Sequence, residues 1–247
     1  MSSKGTVLIT GANKGIGFEV ARQLGTKGFS VWLGCRDKSR GEAAVEKLSS
    51  EGIVAKFVEI DVQNPATIQT AATQLDESIP ALNVLINNAG MHFGYPPPAS
   101  REPIDQISQM FDINCLGSLR VTQAFLPLLR KSSSGASIVM VTSGLGSIGE
   151  SLDMRSESWT VGFAGYSAAK AALNMVTVKL AKELSVEGIK VNAADPGLTA
   201  TDLTGDMGYT VQEGATIIVK LANLGALGPT AGFVYADEMG SLRQHIW

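Results

Sequence analysis

The sequence predicts an α/β protein built on a doubly wound, mainly parallel sheet with helices on both faces. Short apolar runs rich in β-branched residues alternate with amphipathic stretches along the chain. This alternation is typical of parallel strands joined by crossover helices. The first run leads directly into a glycine-rich turn and a helical pattern, which is how sheets of this class commonly begin.

The candidate strands are short runs bounded by turn residues. They lie at residues 6–10, 30–35, 54–60, 84–87, 137–142, 190–194 and 232–236. Because such runs are too short for typical helices, we expect a sheet of about seven strands.

Helical spacing of apolar residues fills most of the intervals between the strands. The first helix is predicted at residues 15–27, where Phe18, Val20, Ala21 and Leu24 form an apolar side, and Gly28 ends it. Two longer helices are predicted at residues 104–130 and 166–187, the second ending at Gly188.

The two longer helices carry many apolar positions, so they provide surfaces on which copies of the chain could pack. Both a homo-oligomer (a dimer or a tetramer) and a monomer are compatible with this pattern.

The composition indicates a globular protein that acts on small molecules. Of 247 residues, 45% are hydrophobic and 17% are charged, and the formal net charge is -3, so there is no basic excess for nucleic acid or an anionic membrane. We expect one domain over residues 1–247, because no repeat, charge block or low-complexity linker divides the chain.

No apolar run approaches the length of about 18 residues that a membrane helix needs, and the run at residues 6–10 is too short for a signal-peptide core. We expect a cytoplasmic protein. Cys35 and Cys115 have no metal-ligand spacing, so we predict reduced, buried thiols and no metal site.

Three segments interrupt the alternation: residues 95–100, 144–165 and 198–209. Each follows the carboxyl end of a predicted strand. In an open parallel sheet that edge is where ligands bind, so we expect these loops to face the substrate, although solvated connectors would give the same pattern.

The turn after the first strand has the sequence TGANKGIG, from Thr10 to Gly17. Glycines let the backbone turn sharply and approach a pyrophosphate, whose charge is bound by amides at the start of the next helix. The glycine spacing differs from GxGxxG, so the turn is suggestive mainly because of its position. The candidate cofactor-binding residues here are Gly11, Asn13, Lys14, Gly15, Ile16 and Gly17.

The residue that follows the second strand predicts the cofactor. An NAD-binding chain usually has an acidic residue about 20 positions after the turn. Here Arg36 stands there, and an Arg can bind a 2′-phosphate, with Lys14 as a second cation. NADPH is therefore predicted over NADH, although Asp37 could still meet a ribose hydroxyl.

With these motifs in place, the chain resembles the classical short-chain dehydrogenases/reductases along essentially its whole length. Thr10 to Gly17 resembles the TGxxxGxG turn of that family, Asn87 to Gly90 its NNAG segment, Tyr166 to Lys170 its YxxxK motif, and Pro196-Gly197 its PG turn. Asn114 and Ser143 fall where the family has its other two catalytic residues. The resemblance implies a Rossmann-type fold, a nicotinamide cofactor and transfer of the pro-S hydride.

The resemblance also implies roles for single residues. Lys170 would bind the nicotinamide ribose, and Asn114 would bind a water that carries protons from Lys170 toward solvent. The remaining cofactor-binding candidates follow strand ends: Asp61 and Val62 at the adenine, then Asn88, Ala89, Gly90, Pro196, Gly197 and Thr199.

Physical chemistry gives the same roles to the YxxxK pair. Tyr166 and Lys170 stand four residues apart and so share one face of a helix. A free phenol has a pKa near ~10, and a nearby ammonium is expected to lower it toward neutrality. Ser143 would donate a hydrogen bond to the substrate carbonyl oxygen.

Residues 144–165 resemble an insertion before the catalytic tyrosine, as in the carbonyl-reductase branch of the family. The sequence NKGIG at residues 13–17 and the pair Arg36-Asp37 also resemble that branch. The predicted function is an NADPH-dependent carbonyl reductase. The alternatives are an NAD-dependent alcohol or hydroxysteroid dehydrogenase and, outside enzymes, an NADPH-sensing binding module.

Two further features of the loops remain open. Asp195 would lie near the nicotinamide or bond to the backbone of the PG turn. The candidates for an apolar pocket wall, which would otherwise be core residues, are Met91, His92, Phe93, Tyr95, Trp159 and Phe163.

Overall fold

The computed structural model describes residues 4–156, 159–224, 228–237 and 241–247. These residues form an eight-stranded sheet in the order β3-β2-β1-β4-β5-β6-β7-β8. The strands are β1 (Thr6–Thr10), β2 (Ser30–Cys35), β3 (Ala55–Glu59), β4 (Val84–Asn87), β5 (Ser137–Val141), β6 (Lys190–Asp195), β7 (Phe233–Ala236) and β8 (Leu242–Gln244). All neighbours are parallel except β7 and β8.

The predicted doubly wound parallel sheet is confirmed. The expected number of strands, about seven, is corrected to eight among the described residues, because β8 was not predicted. Its three residues, Leu-Arg-Gln, are all exposed and have no apolar pattern, so backbone pairing with β7 alone makes this segment a strand.

The helices are α1 (Gly15–Thr26), α2 (Lys38–Ser50), α3 (Pro65–Ser78), α4 (Ile104–Phe111), α5 (Ser118–Arg130), α6 (Ile148–Ser151), α7 (Ala164–Leu184) and α8 (Val211–Ala222). Side chains at their N-termini fix where several begin. Asp37 caps α2, Asn64 caps α3, and Thr210 forms a capping box with Glu213 on α8.

Successive residues of the central strands point to opposite faces of the sheet, and each face is covered by three helices. Val7 and Ile9 of β1 belong to an apolar core with residues of α1, α2 and α8. Leu8 belongs to a second core with residues of α3, α5 and α7. The expected helices on both faces are therefore present.

The predicted helix at residues 104–130 is interrupted. A π-helical turn, Asp112–Gly117, separates α4 from α5. A Cβ at Gly117 would lie 2.9 Å from Val62, so only a glycine lets this turn pack against the residues after β3. The wide turn aims Asn114 inward, and its side chain is fully buried.

The other two predicted helices are present with small shifts. α1 ends at Thr26, and Gly28 follows with φ +93°, as expected for a glycine that ends a helix. α7 begins two residues before Tyr166 and continues in a short 3₁₀ turn, Ser185–Glu187, before Gly188 at φ +73°.

The segment at residues 144–165 contains a 3₁₀ turn, Gly144–Gly146, and the short helix α6; residues 157 and 158 lie outside the described residues. Cys35 and Cys115 are buried and form no disulfide. Among the described residues, no helix has the length and apolarity needed to cross a membrane, and no cluster of three or more potential metal ligands is found.

Candidate active site

The glycine-rich turn lies between β1 and α1, where it contacts the residues that follow β4. The side-chain amide of Asn88 donates to Thr10 O at 2.9 Å and to Gly11 O at 3.2 Å, and the backbone amides of Asn88 and Ala89 donate to Thr10 Oγ1 at 3.0 Å. The structure therefore brings together the two predicted motifs TGxxxGxG and NNAG.

The turn depends on glycine at defined positions. Gly11 and Gly15 have φ values of +65° and +56°, which disfavour other residues. A Cβ at Gly17 would lie 2.5 Å from Asn88 Nδ2 and 2.7 Å from Gly11 O. The absence of a side chain at Gly17 thus lets the turn pack directly against Asn88.

Arg36 is exposed immediately after β2. Among the described residues it makes no hydrogen bond or ion pair, so its guanidinium is available to a ligand. Asp37 is already used, because its carboxylate accepts from the Arg40 amide at 2.9 Å and the Ser39 hydroxyl at 2.8 Å as the cap of α2. The hydrogen bond from Arg40 leads the interactions that lower the pKa of Asp37.

Lys14 does not stand free beside Arg36. Its ammonium forms an ion pair with Asp202, in the loop after β6, and both side chains are well exposed. A Cβ at Gly15 would lie 3.4 Å from Thr201 Cγ2, so the same loop also contacts the glycine-rich turn. The loop at residues 198–209 therefore lies across the turn, and Lys14 would have to exchange Asp202 for a phosphate.

Asp61 and Val62 follow β3 at the same edge of the sheet. Asp61 Oδ1 accepts from the Gln63 amide at 3.0 Å, which stabilises a turn, and Val62 is buried. Arg120 Nη1 donates to Val62 O at 3.3 Å. These contacts fix the backbone where the resemblance predicted adenine contacts.

Tyr166, Lys170 and Ser143 meet at the carboxyl end of β5. Ser143 follows β5 and hydrogen bonds the Tyr166 hydroxyl. Lys170 Nζ lies 5.5 Å from the centre of the Tyr166 ring and donates to Val141 O at 2.8 Å. The predicted pair thus shares one face of α7 and one site.

Asn114 approaches this group from the π-helical turn. Its Oδ1 accepts from the Met91 amide at 2.8 Å and its Nδ2 donates to Met91 O at 2.9 Å. A Cβ at Gly90 would lie 3.2 Å from Asn114 Oδ1 and 3.6 Å from Lys170 Nζ. The four predicted catalytic residues are therefore neighbours, and the Asn114 side chain is occupied in anchoring the segment after β4.

The charges at this site differ from the expectation in one respect. Burial raises the pKa of Tyr166, the negative charge of Asp195 raises it further, and the hydrogen bond from Ser143 only partly offsets both. Burial lowers the pKa of Lys170 to about 8, although Asp195 favours its charged form. The prediction that Lys170 lowers the Tyr166 pKa toward neutrality is wrong for this structure, because burial of the hydroxyl dominates.

The PG turn after β6 is held by Asp195. Its Oδ1 accepts from the Gly197 amide at 2.9 Å, and Gly197 has φ +69°. Thr199 is buried, and its hydroxyl donates to Pro196 O at 3.1 Å. Of the two roles considered for Asp195, bonding to the turn backbone is present.

An aromatic cluster borders Tyr166. His92 lies edge-on to Tyr166 and to Phe163, with ring centres 5.8 and 5.3 Å apart, and Tyr95 lies 5.9 Å from Phe163. Phe163 has φ +34°, an uncommon value for a residue other than glycine, directly before α7. Three of the predicted wall residues therefore meet beside the tyrosine, and exposed Trp159 has no such ring contact among the described residues.

Two features of the site were missed by the sequence analysis. Glu102 is a buried carboxylate whose Oε2 accepts from the Gly165 amide at 3.0 Å, at the start of α7. His245, beyond β8, contacts both Asp195 and Glu150. Neither has a local signal, because each is an isolated polar residue whose burial is created by distant parts of the chain.

A doubly wound sheet with a glycine-rich turn and a Tyr-Lys-Ser group at its carboxyl edge defines an oxidoreductase that acts on carbonyl and alcohol groups. The short chain dehydrogenase family model matches residues 5–211. The chain belongs to this family of enzymes, whose substrates are small molecules.

Relatives match this chain over nearly its whole length. A short-chain dehydrogenase of Penicillium roqueforti is 36% identical over 244 residues, covering 96% of this chain and 95% of the relative. Salutaridine reductase of Papaver bracteatum is 30% identical, with 95% of each chain covered. The crystal structure of an NADPH-bound carbonyl reductase from chicken fatty liver is 30% identical, covers 100% of both chains and has a TM-score of 0.83.

Proposed function

We propose that this enzyme is an NADPH-dependent carbonyl reductase that catalyses reversible hydride transfer between the nicotinamide C4 and a ketone or aldehyde carbon. The observation that carries the proposal is the half-buried Tyr166, whose hydroxyl is hydrogen-bonded to Ser143 and whose ring lies beside Lys170, at the edge of the sheet that also holds the glycine-rich turn. The likeness to the chicken carbonyl reductase supports it.

The residues at this edge fit a dinucleotide. Gly11, Gly15 and Gly17 carry no side chain, so at these positions the turn offers its backbone to a pyrophosphate. Gly11, Asn13, Lys14, Gly15, Ile16 and Gly17 would bind it, and Asn88, Ala89, Gly90, Asp61, Val62, Pro196, Gly197 and Thr199 would line the remainder of the cleft.

A preference for NADPH over NADH rests on Arg36 and Asp37. Arg36 is exposed and unpaired among the described residues. Its planar guanidinium can donate two hydrogen bonds to a 2′-phosphate. Asp37, the residue that would favour NADH, is committed to the cap of α2. An NAD-dependent dehydrogenase is therefore the weaker proposal.

Tyr166 would act as the proton donor. Because burial raises its pKa, the phenol keeps its proton at neutral pH, which suits reduction better than alcohol oxidation. Ser143 would donate a hydrogen bond to the carbonyl oxygen as negative charge develops there. The bound cofactor supplies the hydride, and Lys170 would hold its ribose beside Tyr166.

The aromatic cluster favours carbonyl compounds with an apolar body. Phe163, His92 and the exposed Tyr95 lie beside the proton donor and offer ring faces and edges. Aromatic side chains bury large apolar areas of a ligand.

The test is NADPH oxidation, followed by absorbance, with a panel of aliphatic, alicyclic and aromatic ketones and aldehydes. We expect turnover on the apolar members and a loss of about 10³-fold in kcat in Tyr166→Phe, because general acid catalysis is removed. The dissociation constant for NADPH should stay within a factor of about three, since one phenol oxygen contributes little to binding. Tyr95→Phe is the control that alters a neighbouring tyrosine.

Turnover unaffected by Tyr166→Phe would refute the assigned proton donor. NADPH binding without activity on any carbonyl would favour a sensing module, and equal or better turnover with NADH would favour the dehydrogenase.

A further inference from the structure

A second polar cluster lies beside the proposed catalytic residues. The His245 ring bridges two carboxylates: Nε2 lies 2.8 Å from Asp195 Oδ2, and Nδ1 lies 2.7 Å from Glu150 Oε1. An ionised carboxylate can only accept hydrogen bonds, so both ring nitrogens must donate. A histidine that donates from both nitrogens is an imidazolium cation.

The His245 ring is largely buried. Only 9% of the His245 side chain is exposed, whereas the other described residues from 241 to 247 are exposed. The ring lies against Phe233 and Tyr235, with ring centres 4.4 Å apart in both cases. The His245 amide donates to Phe233 O at 2.8 Å, which continues the pairing of β8 with β7.

His245 lies close to both ends of residues 144–151, which directly follow Ser143. A Cβ at Gly144, the residue after Ser143, would lie 3.1 Å from Asp195 Oδ2 and 3.2 Å from His245 Cε1. At the other end, Glu150 belongs to α6. The cluster is therefore one residue from the proposed donor of a hydrogen bond to the substrate.

Ile246, the residue after His245, also contacts the segment at residues 144–151. Ser147 Oγ donates to Ile246 O at 2.5 Å while its oxygen accepts from the Glu150 amide at 3.0 Å. A Cβ at Gly149 would lie 2.6 Å from Ile246. The segment at residues 144–151 thus packs on the residues that directly follow β8.

We propose that His245 is a positioning residue of the active site: as a cation between Asp195 and Glu150, it fixes residues 144–151 and offsets the charge of Asp195 beside the Tyr166–Ser143 pair. This inference rests on the proposed role of Tyr166 as proton donor.

The charges facing the ring give the direction of the effect. Burial lowers the pKa of His245, but the hydrogen bonds and charges of Asp195 on β6 and Glu150 on α6 outweigh it, so the pKa is raised overall. β7 presents Tyr235, and Arg243 on β8 is bound to Asp237 instead. Without the cation, Asp195 acts uncompensated on Tyr166, and the phenolate forms at higher pH.

The test compares His245→Gln with Arg243→Gln, which removes a cation from β8 outside the cluster. The readout is the pH profile of kcat/KM for oxidation of the alcohol product with NADP⁺, since this direction needs the phenolate. We expect the rising limb of the His245→Gln profile to lie three- to tenfold below that of the wild type while the wild-type ring is a cation, a displacement of about 0.5–1 pH unit. The two profiles should converge at higher pH, where the wild-type ring is neutral. Arg243→Gln should follow the wild-type profile.

A second measurement does not depend on activity or on a stable His245 variant. The chain has two histidines, so ¹⁵N-labelled His gives a simple spectrum, and His245 is assigned by comparison with the His245→Gln sample. We expect both of its ring nitrogens to remain protonated at pH 7, and Glu150→Gln to lower the pH at which this proton is lost while moving the activity limb in the same direction as His245→Gln.

A neutral His245 ring at pH 7 would overturn the proposal, as would pH limbs of His245→Gln and Arg243→Gln that coincide, or a loss of activity in His245→Gln that is equal at all pH values. A wild-type enzyme that reduces no carbonyl refutes the proposed function instead. The two failures are therefore distinguishable.

Discussion

The Glu102 carboxylate accepts a hydrogen bond from the Gly165 amide at 3.0 Å and so ties the start of α7 to the segment before α4. Tyr166 is the next residue along the chain. A Cβ at Gly165 would lie 2.8 Å from Glu102 Oε1 and 2.6 Å from Met110, so the two segments are in close contact. The orientation of the proposed proton donor depends on this buried contact.

Glu102→Ala is expected to lower the free energy of unfolding by about 1.5–3 kcal/mol, because a hydrogen bond to a buried charged group is lost. Glu102→Gln keeps an acceptor and should lose less than half as much. Urea denaturation measures both, with Glu183→Ala on the exposed side of α7 as the control. An Ala variant as stable as the control would contradict this role.

Arg36→Asp is expected to reduce the ratio of kcat/KM for NADPH to that for NADH by about 10- to 100-fold, since a charge-assisted hydrogen bond to the 2′-phosphate is replaced by repulsion. Steady-state kinetics with both cofactors measure this ratio. Arg40→Asp, which changes a nearby exposed charge on α2, should leave it close to wild type. An unchanged ratio in Arg36→Asp would refute the assignment of Arg36.

Gly17→Ala is expected to lower the melting temperature and to weaken NADPH binding more than tenfold. The added methyl group would lie 2.7 Å from Gly11 O, so the turn between β1 and α1 must shift, at a cost of about 1–3 kcal/mol. Calorimetry and fluorescence titration measure the two effects. Gly162→Ala is the control, because nothing lies within 4 Å of its added Cβ.

Lys170 should make the stability of the protein depend on pH. Its pKa is about 8 in the folded protein and 10.5 as the ordinary value, so above pH 8 the unfolded chain binds more protons than the folded one. The free energy of unfolding therefore gains a contribution that rises between these pH values, on the order of 3 kcal/mol. Below pH 8 the folded protein bears the full cost of burying the charged Lys170 ammonium.

Denaturation at pH 7 to 10 tests this with Lys170→Met, which should lack the rise, and with Lys179→Met on the exposed side of α7, which should keep it. Equal slopes in both variants would show that burial of Lys170 does not act on stability. Lys170→Met should also lose activity at every pH.

The sequence predicted what local patterns encode. Apolar runs gave the parallel strands to within about a residue at their ends, which is the usual precision of such boundaries. The glycine-rich turn, Ser143, Tyr166 and Lys170 were found because their spacing reflects one strand end or one helix face.

The remainder depends on contacts between distant segments. β8 has no apolar pattern, and His245 is buried only through partners 50 and 95 residues away. The ion pair of Lys14 with Asp202 spans 188 residues, and it places a carboxylate where a phosphate was expected. The raised pKa of Tyr166 follows from its burial, which spacing does not report.

Both outer strands of the sheet discourage the addition of another strand. β3 carries Lys56 and Glu59 on its five residues, and β8 is three residues long with an arginine at its centre. Charged side chains and short length at a sheet edge oppose strand pairing between molecules. Growth of the sheet by recruiting a second chain is therefore disfavoured at either side.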